Sequence, residues 1–243
     1  MHITVCLTPR DLIPDALGQS TAVVIDVLRM TSTAVTALTH GCMGILPVTE
    51  VDEARACAAR MPDALLCGER KGLPLPDFAL GNSPLAYTRA RVAGKRVICT
   101  TTNGTRVLGM AAPARRVLLG SLLNAGAVAS ATRGEERLTL ICAGTHDALS
   151  LEDVLAAGAI VERLQKLGAR PALDDAAVCA LWLYERARGD LFAALRETTH
   201  CAYLLSLGQP AYEADVHYCL CEDVFALVPE LRGGWILPAL PQA

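Results

Sequence analysis

Along the chain, short and almost wholly apolar runs alternate with longer stretches whose apolar positions recur every three to four residues. Ala22-Val23-Val24-Ile25, Arg96-Val97-Ile98-Cys99 and Leu138-Thr139-Leu140-Ile141-Cys142 read as buried strands. Each gives way to a polar loop and then to a helical pattern. Asp26-Val27-Leu28-Arg29 precedes a helix that Thr31-Ser32-Thr33 opens and that runs to His40 or Gly41. Thr100 to Thr105 precede a helix through Met110, and Ala143-Gly144-Thr145-His146-Asp147 precede one that Ser150-Leu151-Glu152-Asp153 opens and that reaches Leu167. Weaker units of the same kind are Gly44 to Val48 with Val51 to Arg60, Ala64 to Cys67, and Arg115 to Leu119 with Asn124 to Thr132. This alternation predicts an α/β fold, layered α/β/α around a largely parallel or mixed sheet.

Gly68 to Gly81 is the longest connection without periodicity, and connections of that length in a compact domain are commonly functional. It leads to Ser83-Pro84, an N-cap followed by proline at the first helical position. Leu173 to Leu207 reads as helical, and two further apolar runs follow at Val224 to Val228 and Trp235 to Leu237. No linker, repeat or low-complexity tract divides the chain, so one domain over residues 1–243 is expected, with two closely packed α/β halves as the alternative.

The polar loops share one position, between the carboxyl end of a strand and the amino end of a helix. Open α/β sheets bind ligands at that edge. Helix amino ends present unpaired N–H groups and a partial positive charge, which suit phosphate or sulfonate.

Composition narrows the function classes. With 52% hydrophobic and 19% charged residues the chain is a folded globular protein rather than a disordered one. A net charge of −3 lacks the basic face that a nucleic-acid groove needs. No apolar run approaches the ~20 residues of a membrane helix. Met1-His2-Ile3-Thr4-Val5 lacks the basic and apolar character of a leader, so a cytoplasmic protein is expected. The ten cysteines contain no Cys-x-x-Cys pair and read as reduced, mostly buried thiols.

Within the loops, Thr100-Thr101-Thr102-Asn103-Gly104-Thr105-Arg106 is the strongest local signal. Its hydroxyls, its Asn-Gly turn and its cation can surround an anion with donors, whereas helix capping explains only one of them. Asp26 can bind a metal or attack phosphorus and Arg29 can clamp a phosphoryl oxygen, or the two form an ion pair at the sheet rim. Glu69-Arg70-Lys71 by itself reads as solvated charge at a strand end. Asp153 is either a metal ligand or the partner of Ser150 in a capping box. The positions six after Cys67, Cys99 and Cys142 are Leu73, Thr105 and Ala148, so no Cys-x5-Arg phosphatase loop exists. Walker-type and dinucleotide-binding glycine patterns are absent too.

Taken together, these segments resemble the 2-phosphosulfolactate phosphatase (ComB-like) family. The resemblance rests on Val24 to Ser32, Gly68-Glu69-Arg70-Lys71-Gly72, Gly81-Asn82-Ser83-Pro84, Thr100 to Arg106, Gly120-Ser121 with Asn124, Ala143-Gly144-Thr145 and Glu152-Asp153. It implies a Mg²⁺-dependent hydrolase that releases phosphate from 2-phospho-3-sulfolactate, a step toward coenzyme M, on the ComB-like α/β fold. By the same resemblance Asp26, Glu69 and Asp153 would surround Mg²⁺, and Asp26, Arg29 and Asn103 would be catalytic. Thr31, Arg70, Asn82, Ser83, Thr101, Thr102, Gly104, Thr105, Arg106 and Gly144 would bind the substrate. The expected partner is a small anionic phosphorylated molecule, with no nucleic acid and no membrane, and a homodimer stays an open option. The rival in another class is a non-catalytic sensor that binds the same kind of anion without a metal.

Overall fold

The apolar runs become strands because each can be covered on both faces, and the computed structural model, which describes residues 1–240, joins eleven of them in one sheet. In chain order these are β1 (His2–Cys6), β2 (Thr21–Ile25), β3 (Gly44–Pro47), β4 (Leu65–Arg70), β5 (Leu73–Pro74) and β6 (Arg96–Thr100). They continue with β7 (Arg116–Gly120), β8 (Arg137–Cys142), β9 (Ala172–Leu173), β10 (Pro229–Arg232) and β11 (Trp235–Pro238). The helices are α1 (Met30–Thr39), α2 (Val51–Arg60), α3 (Arg89–Val92), α4 (Gly104–Ala111) and α5 (Ala125–Thr132). Further along come α6 (Leu151–Lys166), α7 (Asp175–Ala187), α8 (Leu191–Leu195), α9 (Thr199–Ser206) and α10 (Pro210–Cys219).

The strand order is β5-β4-β6-β3-β11-β10-β7-β2-β8-β1-β9. It holds two parallel blocks, β4-β6-β3 and β7-β2-β8-β1-β9. Among the described residues only the antiparallel hairpin β10–β11 connects them, through single residue pairs: Glu230 opposite Leu118 and Ile236 opposite Ile45. The side chains show how the blocks sit. Val23 and Ile25 of β2 pack with Leu140, Val128 and Ile160 on one face. On the other face, Ala22 and Val24 share a cluster with Met30 and Leu38 of α1, Val107 and Leu108 of α4, and Ile45, Val97 and Cys99 of the opposite block. Ile98 points away from that cluster, toward Ala54 and Cys57 of α2. The layers therefore run from α5, α6 and α7 through the first block to α1 and α4, then through the second block to α2. The two blocks thus cover these central helices from opposite sides.

Several elements differ from the sequence expectation. β4 runs past Cys67 to Arg70 and folds back as β5, so the stretch from Gly68 begins in a hairpin. Pro84–Ala86 is a single 3₁₀ turn rather than an α-helix, and the Ser83 hydroxyl donates to Asp215 instead of capping it. Leu173 to Leu207 divides into α7, α8 and α9, because Asp174 and Asp190 each accept the N–H three residues on and so start new helices. Val224 to Val228 carries no strand; pairing begins at Pro229. β1 has no counterpart in the sequence reading, since polar His2 and Thr4 interrupt its apolar positions. Among the described residues no helix is long and apolar enough to cross a membrane, and all ten cysteines are free.

Candidate active site

The carboxyl ends of β2 and β4 meet the amino ends of α1, α4 and α9 around a cavity of about 320 Å³. Asp26, Arg29, Glu69, Asn82, Asn103 and His200 are on its wall, so the loops after β2 and β6 open into one space. Three helix starts contribute to that wall: Arg29 and Asn103 at the N-caps of α1 and α4, and Thr199 at the first position of α9. Their partial positive charges favour an anion.

Asp26 is fixed through both its backbone and its carboxylate. Its backbone is locked by Thr31, whose hydroxyl donates to the Asp26 carbonyl at 2.8 Å and accepts its N–H at 3.1 Å. Thr31 is thus consumed by the turn and buried, away from the substrate role expected of it. Asp26 Oδ1 accepts the Met30 N–H at 3.2 Å, while Oδ2 accepts no hydrogen bond from the described residues. Gly104 makes room for that oxygen, because a Cβ there would lie 2.5 Å from Oδ2. Burial, seconded by repulsion from Glu69 and Glu152, pushes the Asp26 carboxyl up to about 6, against the opposing pull of the Met30 N–H and His200.

The other two acids expected at a metal are spent on backbone. Glu69 accepts the N–H groups of Thr102 and Gly72, both at 2.7 Å, and so clips the loop after β6 to the β4–β5 turn. Asp153 accepts those of Val27 at 2.8 Å and Gly144 at 3.0 Å, which clips the loops after β2 and β8 together. The capping box with Ser150 does not form through Asp153, since both carboxylate oxygens face these loops instead. Burial first, then Glu152 and Asp26, raises the Asp153 carboxyl well above its ordinary range. Gly144 belongs to the same clip: its φ of 63° is one that glycine adopts without strain, and its N–H is taken by Asp153.

The arginines also find partners within the protein. Arg29 does not pair with Asp26; its Nη1 meets Asp215 Oδ2 at 2.6 Å, its Nη2 donates to the Gly72 carbonyl, and both members of the ion pair are buried. Arg70 donates to the carbonyls of Glu69 and Thr49 and to the Thr100 hydroxyl, and Arg106 pairs with Asp147. Neither Arg70 nor Arg106 is on the cavity wall; Lys71 is. Within the threonine-rich loop, Thr101 and Thr105 bond each other and open α4, so only Thr102 and Asn103 face the cavity. Ser83 faces a second cleft with Asp215.

Sequence reasoning overlooked the residue pair His200 and Glu152. His200 Nδ1 lies 2.7 Å from Glu152 Oε1, and Glu152 is 1% exposed with its Oε2 unpartnered. Burial by itself would lower the imidazole, but the hydrogen bond and charge of Glu152, with Asp26 behind it, hold it above its usual value.

Among the described residues no three His, Cys, Asp or Glu side chains are grouped to hold a metal ion. Two oxygens of wall residues that have no hydrogen-bond partner among the described residues are nevertheless of the hard type: Asp26 Oδ2 and the buried amide oxygen of Asn82. One or two such donors, completed by waters and phosphate oxygens, fit a magnesium-like cation.

With this geometry in view, comparison with known proteins is informative. Residues 6–234 match the family model described as 2-phosphosulpholactate phosphatase. A Deinococcus radiodurans protein is 44% identical over 232 residues, 94% of this chain and 95% of its own length. A Thermotoga petrophila protein is 41% identical over 222 residues, covering 91% and 93%. One from Clostridium acetobutylicum is 37% identical over 243 residues, covering 98% and 100%. All three are named probable 2-phosphosulfolactate phosphatase.

Proposed function

The chain belongs to the 2-phosphosulpholactate phosphatase family of phosphoric monoester hydrolases, and from that premise we propose that it hydrolyses 2-phospho-3-sulfolactate to 3-sulfolactate and phosphate. The reaction is of the coenzyme M type, uses Mg²⁺ and takes place in the cytoplasm. The name shared by the relatives supports the substrate. The observation that carries the reading is the free carboxylate oxygen of Asp26 in a cavity walled by three helix starts.

A substrate with phosphate, carboxylate and sulfonate on a three-carbon frame needs donors from several sides. The amino ends of α1, α4 and α9 bring partial positive charge to the wall, and Lys71 and Arg29 are cations on the same wall. Mg²⁺, when bound, would be held by Asp26 with the Asn82 amide oxygen and would polarise a phosphoryl oxygen. Glu69 and Asp153 keep the loops in register and leave Asp26 as the acid nearest the reacting group.

Phosphate release from 2-phospho-3-sulfolactate, measured with Mg²⁺ and with EDTA, tests the proposal. Turnover only with the metal is the expected result. Binding of the ester without turnover under both conditions would replace the enzyme with an anion sensor.

A further inference from the structure

The phosphate ester of a secondary alcohol leaves as an alkoxide, a poor leaving group unless a proton reaches its oxygen as the P–O bond breaks. A phosphatase for such esters therefore needs an acid beside its phosphate site. Two imidazoles are on the cavity wall, His146 and His200. Only His200 has an orienting partner among the described residues: Glu152 Oε1 at 2.7 Å fixes Nδ1 as the N–H that faces the carboxylate. Nε2 has no hydrogen-bond partner among the described residues, and the ring is on the wall that also carries Asp26. The arginine on that wall is already committed to Asp215 and Gly72.

Resting on the phosphatase reading, we propose that His200 donates a proton from Nε2 to the leaving alkoxide oxygen and that Glu152 is its positioning residue. The bond from phosphorus to the ester oxygen breaks while one from phosphorus to the incoming water oxygen forms. The Nε2 proton passes to the departing oxygen, and the proton given up by the water restores the imidazolium. The charged groups around His200 favour the protonated ring: Glu152 from α6 and Asp26 from the end of β2 attract it, and Arg29 at the start of α1 opposes it. Glu69 and Lys71 from the β4 side complete the surroundings on the cavity wall with opposite charges. The fully buried Glu152, with Oε2 unpartnered, gains its counter-charge from this imidazolium.

The test compares two esters, 2-phospho-3-sulfolactate and p-nitrophenyl phosphate, whose phenolate leaves without help. His200→Asn is expected to lower kcat for the alkyl ester by roughly 10² to 10⁴-fold, with KM little changed and far less loss on the aryl ester. Retained aryl turnover also shows the variant to be folded. Glu152→Gln, which keeps an acceptor but not the charge, is expected to fall between His200→Asn and the unaltered enzyme. Should His200→Asn fail to fold, the unaltered enzyme decides: alkyl turnover is to decline as pH rises through the imidazole titration while aryl turnover does not. Equal losses on both esters, parallel pH profiles, or no loss at all would overturn the proton-donor role alone. If the unaltered protein cleaves neither ester, the phosphatase reading falls and this role with it.

Discussion

Asp26 is held against its own preference. Its carboxyl titrates at about 6 in the folded protein against an ordinary 3.8, so the folded state binds that proton more tightly than the unfolded chain does. Stability of the metal-free protein is therefore expected to fall as pH rises from about 4 to 6, by at most about 3 kcal/mol from this residue. Asp26→Asn removes the penalty: in urea at pH 7.5 with EDTA it should be more stable by ~1–3 kcal/mol, and at pH 4 the gain should vanish. The same variant should have no phosphatase activity. A less stable variant at pH 7.5 would show that Asp26 carries no such penalty. The thiols give the opposite expectation. Burial raises Cys67 to about 12 and Cys142 well above its ordinary range, and neither is on the cavity wall, so neither is a nucleophile. Cys67→Ala and Cys142→Ala should keep most of their activity, and a trapped phosphocysteine would overturn that. The places of Asp26, directly after an apolar strand, and of Asn103, at the start of α4, were legible in sequence. The roles of Arg70 and Arg106 were not, since a guanidinium takes its partner from elsewhere in the chain, here the Thr49 carbonyl and Asp147.

At the level of elements, the site is a junction of loops clipped in pairs by buried carboxylates. Glu69 and Asp153 resemble ligands in sequence because both jobs call for an acid at a strand end; only the position of the accepted N–H groups tells them apart. The start of α4 is the tightest part of this junction. A methyl group at Gly104 would lie 2.5 Å from Asp26 Oδ2 and 2.9 Å from the Met30 side chain. Gly104→Ala is therefore expected to displace the Asp26 carboxylate and lower kcat about 10²-fold. The strain adds ~1–3 kcal/mol of destabilisation, read from a urea melt. Unchanged kcat would mean that the carboxylate tolerates another position. The role of His200 lay beyond sequence reading for a reason of the same kind: it sits on α9, whose sequence signals only packing, and its partner Glu152 is 48 residues away in the chain.

For the molecule as a whole, the alternation of strands and helices was readable, whereas the arrangement of two blocks about α1 and α4 was not. That arrangement depends on β10 and β11, whose pairings with β7 and β3 involve one residue pair each and leave no local pattern. Ile236 is fully buried in the cluster shared by both blocks, so Ile236→Ala should cost ~2–4 kcal/mol. Because the hairpin is the only strand pairing between the blocks among the described residues, this variant should lose phosphatase activity at lower urea than its far-ultraviolet dichroism. Coincident transitions would show that the blocks do not separate first. The hairpin is also the last of the described elements to be synthesised. While the ribosome is still extending the chain, each block can collapse on its own helices, but the seam between them stays open until residues 229–238 leave the exit tunnel. A nascent chain cut short before that point would carry Asp26, Glu69 and Asn103 without the strands that bring them together. Premature termination would then yield an inert product rather than a partly active one.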